Sequence, residues 1–333
     1  MSDKKVQHSV ISNVICGGVS GLITRFVVSP LDVIKIRLQI ENTRFCPNSK
    51  SRTKALPLKY RGIFGTAKTI LREEGLTAFW KGNLSAEYLY IAYSATQFFS
   101  YRQINDALES SEIVQNSSIR SFLSGASAGL VATSITYPLD LLRTKFVAQD
   151  DKNKLYTGIK QSIDLVIKRE GLVGLYKGLS PTLIQIMPAM GIVFFGFDTI
   201  KASLDTHLVM HQLLSETYFE CPFRQKTSYI APWKDTIAGA LAGLISKTVV
   251  FPMDVMRKRF QIQTEKALIS PMFHSKNYSE VKGSWAMLKK MIQYEGVMSL
   301  YKGIVPGLLK GIPSTAVTFG VYGFCLRCMN PVL

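Results

Sequence analysis

Three copies of one pattern, Pro-x-Asp-x-x-Lys/Arg-x-Lys/Arg, constrain this chain more than any other feature. They start at Pro30, Pro138 and Pro252 and end at Arg37, Lys145 and Arg259. A second pattern follows each copy: Glu-Gly, four residues, an aromatic, Lys, Gly. It runs from Glu74 to Gly82, from Glu170 to Gly178 and from Glu295 to Gly303. Two linked signatures that recur at nearly equal spacing make the chain a threefold internal repeat, and a repeat limits the fold before any local propensity does.

Each Pro pattern ends an apolar run seeded with glycines: Gly17, Gly18 and Gly21; Gly125 and Gly129; Gly239 and Gly243. Small residues let helices approach closely in a membrane. Each run is too short to span a bilayer before its proline arrives, so the helix is expected to continue through the kink. This predicts long helices over about 13–40, 119–148 and 233–263. Apolar partners are predicted over about 84–108, 180–204 and 305–326. Short basic amphipathic helices are expected over about 61–73, 158–169 and 279–294, suited to an anionic bilayer surface. Residues 41–59 and 205–231 read as connections.

Both signatures are those of the mitochondrial carrier family, which the chain resembles over nearly its whole length. The resemblance implies an all-α membrane protein with six transmembrane helices in three tandem pseudo-threefold repeats. Each repeat would carry a short surface helix on the matrix side. The repeats fall at 9–112, 117–207 and 230–329. The implied location is the mitochondrial inner membrane, with multiple passes. The implied activity is solute transport by alternating access.

Composition is compatible with that reading. The chain is 47% hydrophobic with a mean hydropathy of +0.14, as for helices apolar on one side and polar on the other. A net charge of +17 fits either nucleic acid or an anionic membrane and anionic cargo. The motifs favour the second, so no nucleic acid is expected. Anionic inner-membrane lipid such as cardiolipin is the expected surface partner, and the expected state is a monomer. The cysteines, including the Cys325/Cys328 pair, lack further ligands for zinc and read as reduced and structural, so no metal and no cofactor are expected. The segment 1–7 has no secretory or transit pattern, which makes any targeting signal internal. The four histidines lie in terminal or connecting segments. No P-loop or GxGxxG context appears, and no enzyme constellation is present.

Within each Pro pattern, acid and base are three apart on one helix face, which an ordinary intrahelical pair would explain. Charge is expensive inside a bilayer, however, and this cost recurs in every copy. A ring joining Asp32, Lys35, Asp140, Arg143, Asp254 and Arg257 between repeats is the alternative. In the family such a ring is the matrix gate. The family's glutamine brace would fall on Gln39 and Gln261, with Val147 at the third position. Its cytoplasmic gate motif is intact only at Asp198 and Lys201.

Arg25 and Lys247 each lie five positions before a motif proline, where repeat 2 has Thr133. Lys310 and Gln185 lie seven after the Gly that opens their helix, and Glu87 lies five after Gly82. Mid-helix charge of this kind points to a cavity. Arg25, Lys247 and Lys310 would suit phosphate oxygens. Glu87 suits a cationic group, with Tyr88, Leu89 and Tyr90 beside it as apolar or aromatic surface. The segment from Trp80 to Tyr90, with 95–98, resembles the corresponding helix of the family's fungal thiamine pyrophosphate carriers. That implies thiamine pyrophosphate or a related phosphorylated solute as cargo, exchanged for (thiamine) phosphates or nucleotides. An adenine nucleotide, deoxynucleotide or coenzyme A carrier would use the same basic cluster. A non-transporting membrane scaffold of the same fold is the other class, and it should show eroded ring motifs.

Overall fold

The computed structural model describes residues 2–41, 59–60, 62–111, 117–149, 154–186, 188–193, 196, 199–200, 232–263 and 283–329. Among them there is helix and no strand. The connections expected at 41–59 and 205–231 lie almost wholly outside the described residues, as do Asp198 and Lys201. The chain divides into two units, residues 1–183 with 252–333, and residues 184–251.

In the first unit the long helices are α1 (Ser2–Ile40), α3 (Asn83–Ser110) and α4 (Ser117–Ala148). The short ones are α2 (Gly62–Glu74) and α5 (Ile159–Glu170). Residues 179–186 and 188–193 are helical and are labelled α6. Then follow α7 (Pro232–Gln261), α8 (Ser284–Glu295), α9 (Ile304–Leu309) and α10 (Gly311–Met329). Each Glu-Gly segment is a single 3-10 turn: Leu76–Trp80, Leu172–Tyr176 and Val297–Tyr301. Three boundaries differ from the sequence reading, and one is the start of α8 at Ser284 rather than near residue 279. The first helix starts at Ser2, well before residue 13. The last is broken at Lys310, because Pro313 has no N–H to offer the Leu309 carbonyl.

α1 packs along α10 and α3 along α4. The glycine stripe is only partly an approach surface. A β-carbon at Gly21 would overlap the Tyr90 hydroxyl, and one at Gly129 would lie 3.8 Å from that of Tyr93. Gly17, Gly18 and Gly125 face open space. In these helices much of the apolar surface points outward: Phe26, Ile135 and Phe319 are 54%, 60% and 71% exposed. The buried apolar cluster lies instead around the C-terminal halves of α1 and α4 and the short helices, with Val33, Ile40, Ile70, Leu141, Val147 and Val166. The stretches 238–261 and 297–329 are long and apolar enough to cross a membrane. In the second unit Ser246 donates to the Ala189 carbonyl at 2.8 Å, and Gly196 lies against Ala242.

The two signatures are bound to each other. Glu74 receives Arg37 at 2.5 and 2.8 Å and is also bonded by Lys81. Glu295 receives Arg259 at 2.7 and 3.0 Å, with Lys302 at 3.5 Å. Glu170 pairs with Lys145 at 3.5 Å and with Lys177 at 2.5 Å. In each copy, therefore, the second base of the Pro pattern and the Lys before the final Gly share the glutamate of the Glu-Gly step. For Glu74, burial works to raise the carboxyl pKa, but the hydrogen bonds from Arg37 and Lys81 outweigh it and hold the pKa below the usual range.

The final glycine of each segment is held against a neighbouring copy. A β-carbon at Gly82, Gly178 or Gly303 would lie 3.0, 3.2 or 3.1 Å from the carbonyl oxygen of Arg143, Arg257 or Lys35. The φ angles of +74°, +84° and +81° add backbone strain for any other residue. The aromatic before it has its own task in the first copy. Pro30 leaves the Phe26 carbonyl without an intrahelical donor, and the Trp80 indole N–H donates to that oxygen at 3.1 Å.

Candidate functional site: a ring of ion pairs

The acid and base of each Pro pattern lie on the same helix face, just past the proline. No Asp pairs with the base three residues on. Lys35 reaches Asp254 at 3.0 Å, Arg143 reaches Asp32 at 2.7 Å, and Arg257 reaches Asp140 at 2.8 Å. The first copy's base thus holds the third copy's acid, the second's holds the first's, and the third's holds the second's. The circuit is closed. It also accounts for the charge: breaking one buried pair leaves its partner uncompensated, at about 3 to 5 kcal/mol.

The three links are unequal. Asp140 also accepts from Lys258 at 3.2 and 3.0 Å and from Gln261 at 2.6 Å. The Gln261 oxygen receives Thr144 at 2.6 Å, and its nitrogen also donates to the Tyr137 hydroxyl at 3.2 Å. Tyr137 lies under Arg257, 5.5 Å from ring centroid to guanidinium carbon. Asp32 has a second cation, Lys310, at 2.6 Å. Asp254 is bonded by Lys35, and its side chain is 26% exposed. Gln39, in the position equivalent to Gln261, is fully buried, and both its amide atoms lack a hydrogen-bond partner. Gln261 is thus bonded into this ring and Gln39 is not.

Above the ring, Arg25 lies 5.2 Å from the Tyr90 ring centroid. Glu87 accepts from Asn83 at 3.3 Å, and its other oxygen is buried without a hydrogen-bond partner. Arg25 and Arg143 both act on it electrostatically. Glu87 and Tyr90 are one helical turn apart and share a face. Tyr88 is about 100° round the helix and is 52% exposed, so it does not join them. Lys310, expected among free phosphate contacts, is in this structure a partner of Asp32. Lys247 and Gln185 belong to the second unit. Lys247 is half-buried, and the Gln185 side-chain oxygen is buried without a partner.

Comparison with known proteins returns the same threefold division of the chain. The family profile described as "Mitochondrial carrier protein" matches three times, at residues 6–112, 114–208 and 228–332. The chain belongs to the mitochondrial carrier family. It is 39% identical over 327 residues to mitochondrial thiamine pyrophosphate carrier 1 of Sclerotinia sclerotiorum, covering 98% of this chain and 94% of the relative. It is 38% identical to the protein of that name from Yarrowia lipolytica, covering 93% and 90%, and 37% identical to that of Neurospora crassa, covering 93% and 89%. Mitochondrial carriers are multi-pass inner-membrane transporters rather than enzymes, and this chain is one of them.

One participant in the ring escapes a reading of the sequence. Lys258 sits between two motif positions and gave no signal of its own. The Glu-Gly glutamates did give one, since they recur with the second base and the following Lys in every copy. The Lys310 break was signalled by Gly311 and Pro313.

Proposed function

We propose that this carrier moves thiamine pyrophosphate across the inner membrane by alternating access, through six spans in three repeats at 9–112, 117–207 and 230–329. In this reading the ring of Asp32, Lys35, Asp140, Arg143, Asp254 and Arg257 is the matrix gate, here in its closed state. Gln261 is its brace, Gln39 serves as one only in another state, and Asp198 and Lys201 are what remains of the cytoplasmic gate. Arg25 and Lys310 hold the pyrophosphate; a part for Lys247 and Gln185 in binding rests on their sequence positions alone. Glu87 faces the cationic thiazolium.

The observation that carries the cargo assignment is Glu87. A purely anionic cargo gains nothing from a carboxylate with a buried, unpartnered oxygen, whereas a molecule with a fixed cation at one end and phosphates at the other matches the mix of Glu87 and the basic groups around it. The names of the relatives support the same choice. The test is uptake of labelled thiamine pyrophosphate, ATP and coenzyme A into liposomes at fixed salt. The wild type should prefer thiamine pyrophosphate. Glu87→Gln should lower its uptake relative to ATP by about tenfold, the worth of one charge-assisted contact. An unchanged ratio would leave a carrier whose cargo is a nucleotide or coenzyme A.

A further inference from the structure

α1 and α10 pack along each other, and two contacts set their register. The Thr24 and Thr318 hydroxyls lie 2.9 Å apart, and the Cys16 thiol donates to the Met329 sulfur at 3.6 Å. A step back along α1 is therefore a step forward along α10, and the two helices run antiparallel. Cys16 lies eight residues before Thr24 and Cys325 seven after Thr318, which brings these thiols level about two turns beyond the threonines. Cys325 is accordingly within hydrogen-bonding reach of Cys16. Cys325, Cys328 and Met329 are three and four residues apart and share one face of α10. Cys16 is fully buried, Cys325 partly so and Cys328 exposed, and all three are free thiols. A single buried cysteine is ordinarily a small apolar residue. Here a buried thiol has a reachable one against it. The cluster lies at the far end of α1 from the ring, about 24 Å along the helix from Asp32.

We propose that Cys16 and Cys325 are a redox pair, closed by hydrogen peroxide into a disulfide that ties the first helix of the chain to the last and holds the carrier in this state. Peroxide is small and uncharged, so a half-buried thiol near the end of α10 is open to it. Cys325 reacts first, since Cys16 has no exposed surface. Its sulfur attacks one peroxide oxygen, the O–O bond breaks, and a sulfenic acid and water form. The Cys16 sulfur then attacks that of Cys325. The S–S bond forms, the S–O bond breaks, and the hydroxyl leaves with the Cys16 proton as a second water. Two thiols have given up two electrons, and peroxide has taken them. Cys328 is outside the pair: joined to Cys325 it would only bridge neighbouring turns of one helix. The effect on uptake rests on the alternating-access reading, and the bond itself does not. Opening the ring and closing the opposite end requires α1 and α10 to shift against each other there, and a bond made in this state prevents it.

The test is the full-length wild type in liposomes, treated with hydrogen peroxide, alkylated, and digested without reduction for mass spectrometry. The expected product is a peptide pair joined through Cys16 and Cys325. Thiamine pyrophosphate uptake should fall to near background and return on reduction with dithiothreitol. Cys328→Ser should keep both effects. Cys325→Ser should transport as the wild type does before oxidation and keep its uptake in peroxide, and Cys16→Ser should do the same. A bond from Cys328 to either other thiol, or sulfenic and sulfinic acids with no bond, overturns the proposal. So does a Cys16–Cys325 bond with undiminished uptake, and so does inactivation that persists in Cys325→Ser, which would belong to another cysteine. Mapping the wild type needs no variant, so a Cys16→Ser chain that fails to fold leaves the test standing. Should the reduced wild type take up no thiamine pyrophosphate, the cargo assignment fails, and uptake of ATP or coenzyme A reads the lock instead.

Discussion

Asp140 and Asp254 occupy the same position in successive copies of one signature, yet their surroundings differ. Asp140 is bonded by Arg257, Lys258 and Gln261 and is nearly buried. Asp254 is bonded by Lys35, among the described residues its one such partner, and is a quarter exposed. Buried and fully hydrogen-bonded charge is costly to break, while a partly hydrated pair is less so. The ring is symmetric in topology and uneven in strength. Its weakest link joins the first and third copies, its strongest the second and third. If the ring is a gate, opening should begin at Lys35–Asp254.

The largest test of that ordering is Asp140→Asn. It leaves Arg257 and Lys258 buried with no counter-charge, and should lower the unfolding free energy by about 3 to 5 kcal/mol. Transport in liposomes should fall to near background. Gln261→Ala should cost about 2 kcal/mol, since it removes a hydrogen bond to the charged Asp140 carboxylate. Asp254→Asn should cost about 1.5 kcal/mol, the low end for a charge-assisted bond in a partly wet site. Thermal unfolding of the purified variants checks all three. Equal losses in Asp140→Asn and Asp254→Asn would erase the asymmetry. The smallest effect is expected at Gln39→Leu, near zero or slightly stabilising, because it replaces an amide with no bonding partner by an apolar group of similar size. A loss as large as that of Gln261→Ala would mean that Gln39 braces the ring after all.

The sequence carried the ring's acids and bases because chemistry and period coincided: an Asp and a base one turn apart, three times over, beside a proline. It could not say which base each acid would choose, since intrahelical and cross-copy pairing use the same letters. Gln39 and Gln261 looked alike for a similar reason. What separates them is the neighbour: Gln261 has Thr144, Tyr137 and Asp140 within reach, and Gln39 has none of their kind. Lys310 read as a cavity cation. Its Asp32 contact depends on how the last helix of the chain lies against the first, 278 positions away, and local spacing cannot reveal that. The Glu74, Glu170 and Glu295 clusters were within reach, since an acid that recurs with two bases at fixed spacing in every copy is the pattern of a structural ion-pair cluster.

The bond from Trp80 to the Phe26 carbonyl makes the neighbourhood of Pro30 optically visible. The chain has three tryptophans, and Trp285 is 71% exposed. With Trp233 and Trp285 replaced by phenylalanine, the remaining indole reports whether its N–H is tied to the backbone oxygen that Pro30 leaves free. Emission from such a donor shifts when the bond is exchanged for water. The protein thus carries a native fluorophore at the proline of its first helix, and movement there can be followed during turnover without an attached dye.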